Sequence, residues 1–242
     1  MAITIDTVTP ANNGSSSTST LVFNHVVNIG SNSVLVVCVG NTGSLTVQSV
    51  KVGASTFLSQ IAQVSGGTSI TAYQYILKNP PTGTQSITIT FSSTTRIAAA
   101  AITLFGVDQN TSYTTNTASL GLSGSGTASV TVTSNVGELV IDTLSKTLAS
   151  ETATKNASQD DLFYSKSTQS SSPATCAGST KSGASPSVTM SWTFPARAWA
   201  IIATSFKPAA TGYTHSVNGV AAASIASING VATANIAKVN GV

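Results

Sequence analysis

Short apolar runs recur along this chain, and most alternate residue by residue with Ser and Thr before a cluster of Gly, Pro, Asn or Ser interrupts them. Alternation with a period of two places successive side chains on opposite faces of an extended strand. The clearest case is Val188-Thr189-Met190-Ser191-Trp192-Thr193-Phe194, whose apolar residues share one face while the hydroxyls take the other. Ser86 to Phe91 repeats the pattern with Ile87, Ile89 and Phe91 directed inward. Val34 to Val39 and Ile97 to Phe105 differ in being apolar on both faces, as befits strands in the middle of a sandwich or covered by a partner.

These patterns predict strands at 3–8, 20–28, 33–40, 45–52, 55–64, 69–78, 84–92, 96–106, 127–133, 137–146, 161–167, 187–194 and 198–207. No convincing period of 3.6 interrupts them, so helix is expected to be nearly absent. The expected fold is all-β: an antiparallel β-sandwich or jelly roll over residues 1–207, a linker at 208–215 and a short C-terminal repeat tail at 216–242. Asp108 to Gly126 and Ser165 to Pro186 are rich in Ser, Thr, Gly and Asn. They read as long polar loops that face a partner.

The tail repeats with a period of eleven residues: Val217-Asn218-Gly219-Val220, Ile228-Asn229-Gly230-Val231 and Val239-Asn240-Gly241-Val242. Asn-Gly is the favoured pair for a two-residue type I′ turn, because both positions need a positive φ. Eleven residues also fit three turns of a right-handed coiled coil with Ala, Ile225 and Ile236 on its seam. The hairpin reading is favoured, since a helix would carry a Gly penalty of about 1 kcal/mol in every repeat. With Lys238 and at most His215 for charge, the tail is too apolar for an unprotected strand edge, and it reads as an oligomerisation or docking element. A disordered tail is the bland alternative, because Ala, Ser and Gly bury little area.

Composition sharpens this picture. Of 242 residues 41% are hydrophobic and only 7% charged, against about 25% charged in ordinary soluble domains. Ser and Thr supply the polar surface instead, and both are poor helix formers. The net charge is +3, but ten Lys and Arg spread along the chain give no basic cluster for nucleic acid. No run approaches the roughly 20 apolar residues that cross a bilayer, so membrane insertion is not expected. Met1 to Pro10 lacks the basic start and apolar segment of a secretion signal. That combination fits a virion protein made in the host cytoplasm, or else an extracellular surface protein whose signal was trimmed.

The inventory for chemistry is sparse: two His, two Cys and seven acidic residues. Neither His25 nor His215 has a second ligand at a metal-binding spacing, and no metal or other cofactor is expected. Asp160-Asp161 and Asp108 beside Gln109 and Asn110 are weak candidates for calcium, better read as polar turns. Glu138 and Asp142 stand four apart on one strand, the paired carboxylates that glycoside hydrolysis uses, although Glu138 reads more simply as a solvated strand start. Cys38 reads as a buried small hydrophobe and Cys176 as a loop residue, with their pairing left open. Trp192 and Trp199 are expected in the core. Tyr113 and Tyr164, with Tyr213, are candidates for a ligand-facing aromatic platform on the loops.

Three stretches carry a resemblance: Tyr75-Ile76-Leu77-Lys78-Asn79-Pro80-Pro81-Thr82-Gly83-Thr84, then Phe105-Gly106-Val107-Asp108-Gln109, then Met190-Ser191-Trp192 through Ala200 to Lys207-Pro208. Together they resemble a jelly-roll-like β-sandwich domain of phage virion and environmental bacterial surface proteins, over roughly residues 20–208. The Asn-Gly-Val repeats are similar to tails of phage virion proteins. The resemblance implies a virion or surface module without assigned catalytic residues. The expected function is therefore a non-enzymatic virion structural protein, a fibre, decoration or filament subunit. Its expected partners are copies of itself and other virion or surface proteins. The alternative is a carbohydrate-binding or receptor-binding surface module that takes a cell-surface glycan.

Overall fold

The computed structural model describes residues 2–120, 126–147, 153–168, 173–210, 227–228 and 231–232, and every regular element among them is a β-strand. The first half holds β1 (Thr4–Asn12), β2 (Thr18–Val27), β3 (Val34–Thr42), β4 (Val47–Val52), β5 (Thr56–Phe57), β6 (Ser59–Gly66), β7 (Ile70–Lys78), β8 (Gly83–Thr95) and β9 (Ile97–Phe105). They form two antiparallel sheets, β1-β9-β3-β7-β6 and β2-β8-β4-β5. The second half holds β10 (Tyr113–Leu120), β11 (Thr127–Thr133), β12 (Leu139–Lys146), β13 (Thr154–Lys155), β14 (Asp160–Lys166), β15 (Thr175–Ser182), β16 (Ser187–Thr193) and β17 (Trp199–Phe206). Its sheets are β10-β17-β12-β15-β14 and β11-β16-β13.

The two halves have one topology. Replacing β1, β9, β3, β7 and β6 by β10, β17, β12, β15 and β14 reproduces the larger sheet strand for strand, and β2-β8-β4 likewise becomes β11-β16-β13. Register agrees: Val34 faces Leu104 as Leu139 faces Phe206, and Leu21 faces Ile89 as Val130 faces Met190. Even an irregularity is duplicated, since β6 skips Ile61 against β7 where β14 skips Leu162 against β15. The chain is a tandem repeat.

The four sheets stack in layers, and alternation assigns each strand's faces. Leu35, Val37 and Val39 of β3 meet Val50, Ile87, Ile89 and Phe91 in the core of the first repeat. The opposite face of β3, with Val34, Val36 and Cys38, packs with Ile141, Phe163, Cys176 and Phe206 of the second repeat. Val140, Leu144 and Ile201 then point away into a third core with Val188, Met190 and Trp192. Both larger sheets are thus covered on both sides, which is why β3, β7, β9, β12 and β17 are apolar or small at nearly every position.

The central contact pairs like with like. Thr143 lies within hydrogen-bonding reach of the Cys38 thiol, and Ser145 sits against Gly40. These are equivalent positions of β3 and β12, so an approximate two-fold axis runs along the two strands. Because Cys38 meets Thr143 and Gly40 meets Ser145, β3 and β12 point the same way, and the loops that precede them lie at one end of the body. Gln74 crosses the contact, donating to Thr143 Oγ1 at 2.7 Å and accepting from the Thr204 hydroxyl. These buried polar groups therefore satisfy one another.

Several expectations need correction. The stretch read as a loop from Asp108 to Gly126 contains β10, which pairs along its whole length with β17. The stretch from Ser165 to Pro186 contains β15, buried between β12 and β14. β15 escapes the apolar pattern because its residues are small: an added Cβ on Gly178 would stand 2.2 Å from the Phe163 ring. The strand expected at 55–64 divides into β5 and β6, and the one expected at 84–92 extends to Thr95. In the tail, β18 (Ser227–Ile228) and β19 (Val231–Ala232) pair antiparallel, Ser227 with Ala232 and Ile228 with Val231, the register that a two-residue hairpin loop requires.

Gly40→Ala tests the central contact. A Cβ there would meet Ser145 Oγ at 2.6 Å and the Thr175 carbonyl at 2.7 Å, so the variant is expected to lose about 1–3 kcal/mol in denaturant unfolding. Gly14→Ala, where a Cβ meets nothing within 4 Å but φ is +62°, measures the backbone cost of replacing a left-handed glycine without crowding, and Gly40→Ala is expected to show its loss through crowding instead.

Candidate functional site

Where the first repeat passes into the second, the chain builds a cleft. Asp108 folds the connection into an Asx turn, its carboxylate accepting from the Asn110 amide at 2.8 Å and the Thr111 hydroxyl at 3.1 Å. The Asn110 amide above all holds the Asp108 carboxyl below its ordinary range. Asp108 N donates to the Lys207 carbonyl at 2.8 Å, and Lys207 N donates to the Ser112 carbonyl at 2.8 Å. Lys78, at the end of β7, donates from Nζ to the carbonyls of Gln109 and Asn110 at 2.7 and 3.3 Å. Three segments far apart in the chain, at Lys78, Asp108 and Lys207, therefore converge here.

The cleft has a volume of about 710 Å³ and is bordered by Ser59, Lys78, Asn110, Ser112, Tyr113 and Lys207 among others. Tyr113 stands on β10 rather than on a loop, its ring tilted 56° to Phe206 with centroids 6.5 Å apart. Ser112 is 2% exposed, and its hydroxyl has no hydrogen-bond partner among the described residues. Such a group carries a desolvation cost that a ligand can offset. Pattern reasoning found Tyr113 but missed Lys78, Lys207 and Ser112. The available signal was a lysine at each strand end just ahead of proline, in Lys78-Asn79-Pro80 and Lys207-Pro208.

Tyr164 lies apart from this cleft, on β14 and 41% exposed. It borders a smaller pocket of about 290 Å³ with Phe163, Leu162 and Trp192. Trp192 is buried as expected, and so is Trp199. Behind that pocket Asp142 is wholly buried, accepting from Trp192 Nε1 at 2.6 Å, Ser179 N at 2.6 Å and Ser179 Oγ at 3.0 Å. Burial pushes its carboxyl up to about 7 against the pull of those donors. Glu138, its expected partner, instead accepts from Ser205 Oγ at 2.6 Å and Asn135 Nδ2 at 3.1 Å. Burial raises the Glu138 carboxyl, and the Ser205 and Asn135 donors outweigh it to leave the carboxyl below its ordinary range. The two carboxylates serve separate networks, and Glu138, read as a solvated strand start, is instead buried at 8% exposure.

His25 lies in the first repeat, bonded to Thr103 and Thr9 at 2.8 Å each. Burial takes its pKa down to about 4, against the attraction of Asp6. The equivalent contact in the second repeat is between Ser134 and Ser205, at 2.8 Å. Cys38 and Cys176 are both free and buried in the central contact, Cys176 on β15 rather than in a loop. Burial pushes the Cys38 thiol up to about 12 and the Cys176 thiol well above its usual range. Among the described residues, no group of three or more His, Cys, Asp or Glu comes together that could hold a metal ion.

Of the tail residues expected to form the docking element, only Ile228 and Val231 fall among the described residues. Val217, Asn218, Gly219, Val220, Ile225, Asn229, Gly230, Ile236, Val239, Asn240, Gly241 and Val242 lie outside them, as do His215 and Tyr213. Comparison with protein-family models, curated proteins and solved structures finds no match to this chain.

The two buried titrating groups oppose each other. Asp142 holds its proton to about pH 7 when folded, so its contribution to stability is full below the unfolded value of 3.8 and is lost as pH rises through 7. His25, lowered from 6.5 to about 4, contributes above 6.5 and loses its contribution as pH falls toward 4. Urea unfolding of the native protein from pH 4 to 7 is expected to give a shallow profile. Asp142→Asn should uncover a rise in stability with pH, and His25→Gln a fall.

Proposed function

We propose that this protein is a non-enzymatic structural subunit of a virion, a fibre, decoration or filament component built from two stacked jelly-roll-like β-sandwiches. The strand order supports the jelly-roll part: β1-β9-β3-β7 against β2-β8-β4-β5 interleaves the chain as an eight-stranded jelly roll does, a fold used by viral capsid and lectin domains. That likeness is at the level of fold.

One observation carries the assembly reading. The loops that precede β3 and β12 present Ile29 at 90% and Val136 at 82% exposure, and both lie at the end where the chain heads into the tail. Ser31 O accepts from Gly106 N at 3.0 Å, and Gly106 O accepts from Ala209 N at 2.7 Å, which places the tail's root beside the first of these loops. Exposed apolar side chains at the end where the chain leaves toward an apolar repeat make this end the docking face, with copies of the chain or neighbouring virion proteins as its partners. Deleting residues 216–242, and separately replacing Ile29 and Val136 by Ser, is expected to lower the mass in solution and abolish incorporation into particles. Unchanged mass and incorporation in both variants would dismiss the proposal.

A second reading, a glycan-binding surface module, is favoured by the position of Tyr113 on the inter-repeat cleft. Tyr113→Ala is expected to reduce cell adsorption and glycan-array signal while Tyr164→Ala changes neither. A blank array for the native protein would remove this reading.

A further inference from the structure

Pseudo-symmetry supplies a built-in control for the inter-repeat cleft. Each of its key residues has a counterpart related by the two-fold axis: Phe105 for Lys207, Ser182 for Lys78, Ile5 for Tyr113 and Asp160 for Ser59. On the counterpart side the Phe105 ring presses on Gly30, where a Cβ would stand only 2.4 Å away. The cleft thus carries Lys207, Lys78 and Tyr113 where the pseudo-symmetric positions carry Phe105, Ser182 and Ile5. No Asp or Glu borders the cleft itself, although the carboxylates of Asp108 and Glu138 lie within electrostatic reach of Lys207.

The lining sorts into two chemistries. Lys78 and Lys207 supply positive charge. Ser112 holds a buried hydroxyl with no partner among the described residues, Ser59 and Asn110 border the same cleft, and Tyr113 adds an aromatic wall. Lys78 already spends its ammonium on the Gln109 and Asn110 carbonyls, which fixes it in place as a positive centre. A volume of about 710 Å³ falls within the range of small-molecule sites.

We infer that the cleft between the two repeats binds an acidic sugar unit of a glycan, its carboxylate held between Lys78 and Lys207, one hydroxyl paired with Ser112 and its ring against Tyr113. The inference rests on the glycan-binding reading and narrows it to uronate-type sugars. Charge-assisted hydrogen bonds from lysine to carboxylate supply the discrimination against neutral sugars. Ser112 supplies an independent handle. Its hydroxyl has no hydrogen-bond partner among the described residues, so Ser112→Ala removes the ligand contact without removing a described protein contact.

Calorimetric titration of the full chain with a glucuronate-containing tetrasaccharide, with cellotetraose and with inorganic phosphate tests this. Binding of the acidic tetrasaccharide is expected, weakened by salt and about tenfold tighter than either control. Ser112→Ala and Lys207→Met should each weaken it about tenfold, with the Ser112→Ala melting temperature unchanged. Equal affinity for cellotetraose, lost in Tyr113→Ala, would overturn the acidic assignment and leave the glycan-binding reading standing. Equal affinity for phosphate would overturn the sugar, and no binding of the acidic probe would overturn the inference outright. Full affinity in Ser112→Ala would overturn it as well.

Discussion

The fold depends on one contact, the face-to-face burial of the two larger sheets along β3 and β12. It removes from water a face that each repeat would otherwise expose: Val34, Val36 and Ile102 on one side, Ile141 and Phe206 on the other. At roughly 25 cal/mol per Å² of apolar surface removed, such a face dominates whatever polar contacts surround it. It also sets geometric terms. The approach of β3 to β12 and β15 is close enough that Gly40 has no room for a side chain. The polar groups trapped there, Gln74, Thr143 and Thr204, have to bond to one another.

Given that contact, the outer cores were free to diverge. The first repeat fills its core with Val37, Tyr75, Phe91 and Leu58. At the matching places the second repeat has Asp142, Ser179, Trp192 and Gln159, a hydrogen-bonded cluster around a carboxylate. The exchange is concerted, because a lone Asp beside apolar neighbours would carry the full cost of a buried unpaired charge. The same trade appears in the central layer, where Phe163 over Gly178 occupies the positions of Ala62 and Gln74. Volume and polarity are conserved by groups of residues, not position by position.

That grouping explains what was legible in the sequence. Strands with one wet face, such as β8 and β16, and strands apolar on both faces, such as β3 and β9, announced themselves because their environment acts on every residue. β15 is as buried as any of them, but close packing selected Cys176, Ala177, Gly178 and Ser179 for size, and small polar residues read as loop. β10 was hidden because an edge strand pairs through its backbone and leaves polar side chains such as Thr114 and Asn116 on its surface, where they donate to β11 carbonyls. The duplication was invisible for the reason just given, since concerted exchange erases identity while keeping register and bulge. For the cleft, Tyr113 was legible as an aromatic in a polar stretch. Lys78, Ser112 and Lys207 were not, because only the fold brings three distant segments to one place.

The residues that join β9 to β10 turn a surface contact into a property of a single molecule. Two separate chains meeting face to face along this axis would form an isologous pair held by mass action and parted on dilution. Joined in tandem, the halves meet at an effective concentration set by a short connection, one that the bonds of Asp108 and Lys78 further stiffen. The body therefore keeps its shape however dilute the protein becomes, and a single attachment point anywhere on it would present both halves.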